Sequence, residues 1–252
     1  NIINLINIKF EYSKIFSKIS NKSNIYIEDC FKIALKILKK INYKGVLING
    51  PVSKKNFLKN KYLGITEYLS HKTNSKNEVM LIYNDKLSVT PITTHIPLKH
   101  VVKKINKKVI IKNIIKINNF YLKKLNKIAK IAILGVNPHC ETIDNYSEEK
   151  EIILPAIKYL KKNKINIDGP FPADTFFMEK NLKKYNVVVG MYHDQVLTPI
   201  KTIYKFNAVN LTLGLPFIRI SPDHGPNSEM LGKNKSDPSS FISAMNFVEN
   251  LK

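Results

Sequence analysis

Glycine is scarce in this 252-residue chain: the nine copies never fall in the spacing G-x-G-x-x-G. That excludes the standard Rossmann fingerprint, in which three glycines let the backbone approach a dinucleotide pyrophosphate. Cysteine is scarcer still. Cys30 and Cys140 form no CxxC pair, which argues against a disulfide framework and for a reducing compartment, read here as the cytoplasm. No apolar run is long enough to span a bilayer, and the N-terminus lacks a signal-peptide layout. The chain begins at Asn1 rather than Met, so a preceding segment is expected. Acidic residues are few as well, 19 against 41 Lys and Arg, for a formal net charge of +22. The lysines are scattered over helical stretches, as at Lys36, Lys39 and Lys40, or Lys123, Lys124 and Lys127. There is no basic tail, RNP-type aromatic block or zinc-finger spacing, so these read as solvated faces. Neither nucleic acid nor membrane is an expected partner.

What is present suits a folded α/β protein. A hydrophobic fraction of 44% and an aromatic fraction of 10% provide for a substantial core. Val46–Ile48, Ile131–Leu134 and Val187–Val189 are short apolar runs that stop at Gly or Asn and read as buried strands. Val79–Tyr83 and Leu87–Ile92 flank Asn84-Asp85 and predict a hairpin. Between the strands lie amphipathic, lysine-studded helices: one from Asp29 to Ile41, others from Leu98 to Asn126, one from Glu148 to Lys161 across Pro155, and a last one capped by Asp237-Pro238. Asp168–Pro172 reads as a rigid loop, Ala173–Thr175 as a helix start, and Thr66 as a helix cap. The strand–helix alternation predicts a mostly parallel, doubly wound sheet.

The chain is organised around Val187–Gly225. Its chemistry-bearing residues, His193, Asp194, Lys201, Asn210, Arg219, Asp223 and His224, lie at or beside strand ends, with little between them that reads as surface helix. Open α/β sheets bind ligands at the carboxyl ends of their strands. Arg219 has apolar neighbours on both sides; a buried guanidinium is strongly destabilising without an anion, so an anionic substrate is expected. A histidine follows a strand at His95, at His139 and again at His193. Each alone reads equally as a cap or turn residue. Together, three imidazoles with an open position would make a divalent catalytic site, suited to Zn and able to take other ions.

Several stretches resemble one known family: Gly50–Lys54, Thr93–Leu98, Asn137–His139, Gly169–Thr175, Tyr192–Gln195 and Val209–Arg219 match, in order, motifs of 4-hydroxythreonine-4-phosphate dehydrogenase of vitamin B6 biosynthesis. The resemblance implies an isocitrate/isopropylmalate-dehydrogenase-like fold in two lobes around a cleft, residues 1–60 with 201–252 forming one and 61–200 the other. It implies a homodimer with its active site at the interface, NAD or NADP as cofactor, and a divalent ion such as Zn, Mg or Co. Carried over by residue, the metal ligands would be His95, His139 and His193, one of them from the partner subunit. Substrate contacts would be Thr66, Lys201, Asn210 and Arg219, with Lys201 and Asp194 the catalytic candidates. Asp194 and Asp174 would orient the histidines, and the cofactor would lie along residues 223–232 against His224 and Asn227.

The implied reaction oxidises 4-phosphohydroxy-L-threonine to 2-amino-3-oxo-4-phosphooxybutanoate, which decarboxylates to 3-amino-2-oxopropyl phosphate. Another 4-phosphorylated hydroxy acid of the threonate or erythronate type, or a catalytically decayed member, are the alternatives. Departures from the family pattern motivate them. The family's opening strand and Gly/Pro-rich loop have no counterpart, its G-H-T-E reads Gly64-Ile65-Thr66-Glu67, and its D-H-G-T reads Asp223-His224-Gly225-Pro226.

Overall fold

Ser20 starts the first helix, α1 (Asn21–Lys40), through a capping box: its hydroxyl accepts from the Ser23 amide while the Ser23 hydroxyl accepts from its own. The helix therefore begins well before Asp29. This computed structural model describes residues 3–12, 14–16, 18–59, 61–62, 64–76, 78–205, 207–222 and 225–251. Strand β1 (Val46–Ile48) leads into α2 (Lys54–Leu58) and α3 (Ile65–Lys72), and the expected hairpin follows as β2 (Val79–Tyr83) and β3 (Ser88–Thr93). Next come α4 (Val101–Lys104) and α5 (Lys107–Lys124), the latter capped by Asn106 on the Val109 amide at 3.0 Å. Strand β4 (Ile131–Leu134), α6 (Leu154–Lys162), β5 (Ile167–Phe171), α7 (Ala173–Phe176), α8 (Glu179–Leu182), β6 (Val187–Tyr192) and α9 (His193–Tyr204) complete the middle of the chain. Strands β7 (Val209–Leu213) and β8 (Ile218–Pro222) and helix α10 (Ser239–Glu249) end it.

Among the described residues the strands join one eight-stranded sheet in the order β1-β8-β7-β2-β3-β6-β4-β5. The pairs β1–β8, β3–β6, β6–β4 and β4–β5 run parallel; β2 and β7 supply the antiparallel joins. Side chains alternate between two cores. Ile131 and Ile133 pack with Ile110, Ile114 and Ile117 of α5, Ala156 and Leu160 of α6, and Phe247 of α10. Ala132 and Leu134 face the other way, against Phe176 of α7 and Val196, Leu197 and Ile200 of α9. A sheet buried on both faces is doubly wound, and each such aliphatic side chain contributes about 1.5–3 kcal/mol.

Local structure departs from expectation where tertiary packing outweighs local signals. Asp168–Phe171 belongs to strand β5, not to a loop, because β5 is the outermost strand and Pro170 forfeits no ladder bond on its open side. Gly169 is required there: a Cβ would strike the Ile133 carbonyl oxygen. The stretch after His193 is a 12-residue helix, although Pro199 and the β-branched Thr198, Ile200, Thr202 and Ile203 mask it. Burial of Val196, Leu197 and Ile200 under the sheet fixes it. Thr66 lies inside α3 rather than capping it; Gly64 takes the cap position, and the Thr66 hydroxyl meets that of Thr212 at 3.2 Å. Around Pro155, a π-helical turn (Glu149–Ile153) precedes α6, so the proline falls in a first turn where no amide is needed.

Candidate active site

The parallel strands β3, β6 and β4 are neighbours, so the loops that follow them open on one edge of the sheet. His95 follows β3 and His193 follows β6; their ring centroids are 5.5 Å apart. Desolvation on the cleft wall, then the nearby Lys54 and His193, hold His95 below the ordinary histidine pKa, which favours the neutral, ligating ring. Nδ1 of His193 is bonded to Oδ1 of Asp194 at 2.7 Å, which leaves Nε2 as its outward nitrogen. His139 follows β4 in the short turn Pro138–Cys140, but its side chain is 73% exposed and its Nδ1 lies 3.9 Å from Oδ2 of Asp174. Among the described residues, no three His, Cys, Asp or Glu side chains gather closely enough to hold an ion.

The turn carrying His139 is clamped from below. Glu149, 2% exposed in the π-helical turn, accepts the Val136 amide at 2.7 Å and the Asn137 amide at 2.9 Å on Oε1. Its Oε2 accepts the Asn137 side chain at 3.0 Å and the Ser147 hydroxyl at 3.0 Å. Gln195 ties the same region to α9, accepting from the Met191 amide at 2.6 Å and donating to the Gly135 carbonyl at 2.7 Å. Burial works against the Glu149 charge, but the hydrogen bonds from Asn137 and Val136 outweigh it and hold the carboxyl below its usual 4.5. A depressed folded-state pKa stabilises the protein above the unfolded value and loses that stability as pH falls through the folded one. Glu149→Ala is expected to cost on the order of 3 kcal/mol at pH 7, by stranding buried donors. Glu149→Gln should flatten the decline in stability below pH 4.5. Urea denaturation of both variants and wild type across pH 3–7 checks this.

The second half of the site lies where β1, β8 and β7 meet. Arg219 is 4% exposed on β8, in register with Leu47 of β1 and Thr212 of β7. Its Nε donates to Oδ1 of Asn49 at 2.7 Å and a terminal nitrogen to Oγ1 of Thr212 at 3.2 Å. Both acceptors are neutral. Desolvation lowers the Arg219 pKa to about 10, opposed only in part by the charge of Glu67. A cleft of about 570 Å³ joins the two halves, lined by Asn49, Thr66, His95, His193, Lys201, Asn210 and Arg219 among others. His193, Leu197 and Lys201 reach it as one stripe, four residues apart on α9. His139 and Asp194 lie outside its lining. Gly225 and Pro226 stand at its margin, Asn227 is exposed beyond them with its amide 3.4 Å from Ser236, and His224 lies outside the described residues.

Asn49, Thr212, Glu149 and Gln195 were not singled out by sequence. Asn49-Gly50-Pro51 reads as a chain breaker, and only the β1–β8 pairing brings Asn49 to Arg219.

A doubly wound sheet with a buried arginine and paired histidines lining one cleft at its strand ends places this chain among α/β proteins whose ligand site lies at the carboxyl ends of the strands. The chain belongs to the pyridoxal phosphate biosynthetic protein PdxA family, whose model matches residues 1–248. It is 41% identical over 255 residues to 4-hydroxythreonine-4-phosphate dehydrogenase of Sulfurihydrogenibium sp. (strain YO3AOP1), covering all of this chain and 77% of that protein. It is 36% identical over 71% of its length to D-threonate 4-phosphate dehydrogenase of Pectobacterium atrosepticum, of which it spans 56%. The crystal structure of 4-hydroxythreonine-4-phosphate dehydrogenase from Klebsiella pneumoniae superposes with a TM-score of 0.77 at 30% identity, over 90% of this chain and 70% of that one. Isocitrate dehydrogenase from Methylococcus capsulatus shares the fold alone, with a TM-score of 0.53 at 9% identity over 86% of this chain and 70% of that one. The relatives so named are oxidoreductases, and no helix of the described residues is long and apolar enough to cross a membrane.

Proposed function

We propose that this chain catalyses the NAD(P)-dependent, divalent-metal-dependent oxidation of 4-phosphohydroxy-L-threonine to 2-amino-3-oxo-4-phosphooxybutanoate, which loses carbon dioxide to give 3-amino-2-oxopropyl phosphate, in pyridoxal phosphate biosynthesis. One observation carries the reading: Thr66, His95, His193, Lys201, Asn210 and Arg219, from separate elements, line a single cleft. Arg219, hydrogen-bonded among the described residues to the neutral Asn49 and Thr212, grips the phosphate or carboxylate, and Lys201 adds a second cation; each charged hydrogen bond contributes about 1.5–3 kcal/mol. Thr66 and Asn210 fix the substrate's orientation through neutral hydrogen bonds. Asp194 sets the His193 tautomer by holding Nδ1. His95 and His193 suit a divalent ion, with His139 supplied by a partner subunit in a homodimer. When bound, the ion makes an alcohol easier to deprotonate and steadies the charge that develops as carbon dioxide leaves.

The two lobes, residues 1–60 with 201–252 and residues 61–200, are proposed to meet at this cleft, the first giving Asn49, Lys201, Asn210 and Arg219, the second Thr66, His95 and His193. The free thiols of Cys30 and Cys140 fit a cytoplasmic enzyme. NADH formation from 4-phosphohydroxy-L-threonine, with and without chelator, tests the assignment. No NADH, or chelator-insensitive turnover, would sink it. The dehydrogenase of a threonate-type 4-phosphate is the second reading, favoured by the Pectobacterium relative.

The cofactor is assigned to residues 223–232, of which Gly225 and Pro226 line the cleft, with His224 and Asn227 as contacts. Pro226 there has neither hydroxyl nor amide to donate. Pro226→Thr is expected to tighten NAD binding by roughly fivefold, one hydrogen bond's worth of about 1 kcal/mol. Calorimetric titration with NAD measures it, and unchanged or weaker binding counts against the placement.

A further inference from the structure

The pairing of β4 with β6 ends at Ile133 and Val189. Two residues further, where the same register would set Gly135 against Met191, a side chain stands between the strands. Gln195 accepts from the Met191 amide on Oε1 at 2.6 Å and donates from Nε2 to the Gly135 carbonyl at 2.7 Å. One partner can only donate and the other only accept, so the orientation of the side-chain amide is fixed. Strand β3 is tied in at the same level: the Thr93 hydroxyl donates to the Met191 carbonyl at 2.7 Å. Thr93, Met191 and Gln195 are all buried. Two side chains thus stitch together the ends of β3, β6 and β4, just upstream of His95, His193 and His139. Room for the bridge is built in, since a Cβ at Gly190 would lie 3.0 Å from Oε1 of Gln195. Helix capping does not account for it. A capping-box glutamine at this position of α9 would bond the amide of the cap residue, Tyr192, and would need no partner on another strand.

We propose, on the metal-dependent reading above, that Gln195 is a positioning residue: its amide replaces a rung of the β4–β6 ladder and, with Thr93, fixes the spacing of the loops that carry His95, His193 and His139. The side chain does not touch the ligand site itself, because it turns away from the stripe of His193, Leu197 and Lys201 that lines the cleft. A direct main-chain rung would draw Gly135 against Met191; the interposed amide holds the two strand ends a side chain's width apart. A divalent ion needs its ligand atoms within about 0.2 Å of their bond lengths, so loop spacing translates into affinity. The same spacing sets how far His139 reaches toward the histidine pair of a partner subunit in the proposed dimer. Groups that hold the ligands of a metal site change its affinity by about 10–100-fold when removed.

Zinc binding to the full chain is measured by calorimetry for wild type, Gln195→Met and Ile200→Ala, with urea denaturation of each and NADH formation from 4-phosphohydroxy-L-threonine. Gln195→Met keeps the length of the side chain and loses both bonds; Ile200→Ala loosens α9 on the sheet without touching the bridge. Folded Gln195→Met is expected to bind zinc roughly 10–100-fold more weakly than wild type. Ile200→Ala should lose stability with no change in zinc affinity. Thr93→Val should also weaken zinc binding, and Thr93→Ser, which keeps the hydroxyl, should restore it; this pair decides the matter if Gln195→Met fails to fold. At saturating zinc, Gln195→Met should lower kcat and leave KM unchanged, because the anion-binding Arg219 and Asn210 stand on β8 and β7. Unchanged zinc affinity in folded Gln195→Met overturns the inference. So does an equal loss in Ile200→Ala, which would make the effect general loosening, or equal zinc affinity in the two Thr93 variants. Chelator-sensitive NADH formation alongside any of these leaves the dehydrogenase reading standing. Zinc binding that depends on Gln195 without NADH formation removes that reading and keeps this inference; no zinc binding by wild type removes both.

Discussion

Arg219→Lys is expected to lower kcat/KM by roughly 10- to 150-fold, a loss of about 1.5–3 kcal/mol in transition-state binding. The substitution keeps a positive charge on β8 but removes the planar fork. Lysine cannot at once meet Asn49 at 2.7 Å, Thr212 at 3.2 Å and a phosphate or carboxylate in the cleft. Its ammonium is also more strongly hydrated, so holding it where Arg219 is 4% exposed costs more. The loss should fall on KM if the anion is gripped equally in ground and transition states, and on kcat if the grip tightens as the reaction proceeds. Thermal unfolding of the same variant separates loss of the site from loss of the fold. Wild-type kinetics in a folded Arg219→Lys protein would remove Arg219 from substrate binding.

The frame of this fold was legible because its strands are made of unambiguous residues. Val46–Ile48 and Ile131–Leu134 are strands at the bounds read from sequence, and the Asn84-Asp85 turn makes the expected hairpin. In the centre of the sheet, continuous Val and Ile runs can do little else. The misread segments share a cause: their local signals point one way and their neighbours decide otherwise. Pro170 reads as a breaker, but an edge position tolerates it. Helix α9 contains Pro199 and several β-branched residues, and packing beneath β3 and β6 settles it.

The cleft was legible in part for a similar reason. Chemistry-bearing side chains at strand ends announce a site, and the resemblance supplied residue roles that spacing does not. Sequence did not show which strand ends adjoin. The order β3-β6-β4 sets the three histidine-bearing loops side by side, and the β1–β8 pairing gives Arg219 its Asn49. Glu149 was hidden for another reason: within a lysine-rich amphipathic stretch it looks like a surface charge, and only the π-helical turn swings it inward beneath Asn137.

His139→Ala is expected to abolish both metal retention and turnover while leaving the fold intact. The side chain is 73% exposed and its nearest charged neighbour is Asp174 at 3.9 Å, so truncation strands no buried group. Retention and activity should fall together because, in the proposed site, His95 and His193 alone hold an ion weakly. The pair lies within one chain, ring centroids 5.5 Å apart, whereas His139 of that chain lies outside the cleft lining they share. If His139 reaches the pair of a second subunit, the two kinds of defect should complement across a dimer. Mixing equal amounts of His139→Ala and His193→Ala chains gives half heterodimers by chance. Each heterodimer then carries one complete site and one doubly defective one, so about a quarter of wild-type activity should return in a two-fold symmetric assembly. Metal content by elemental analysis should recover in parallel. No recovery after verified subunit exchange would place all three ligands in one chain. Full metal-dependent activity in His139→Ala alone would remove this histidine from the site.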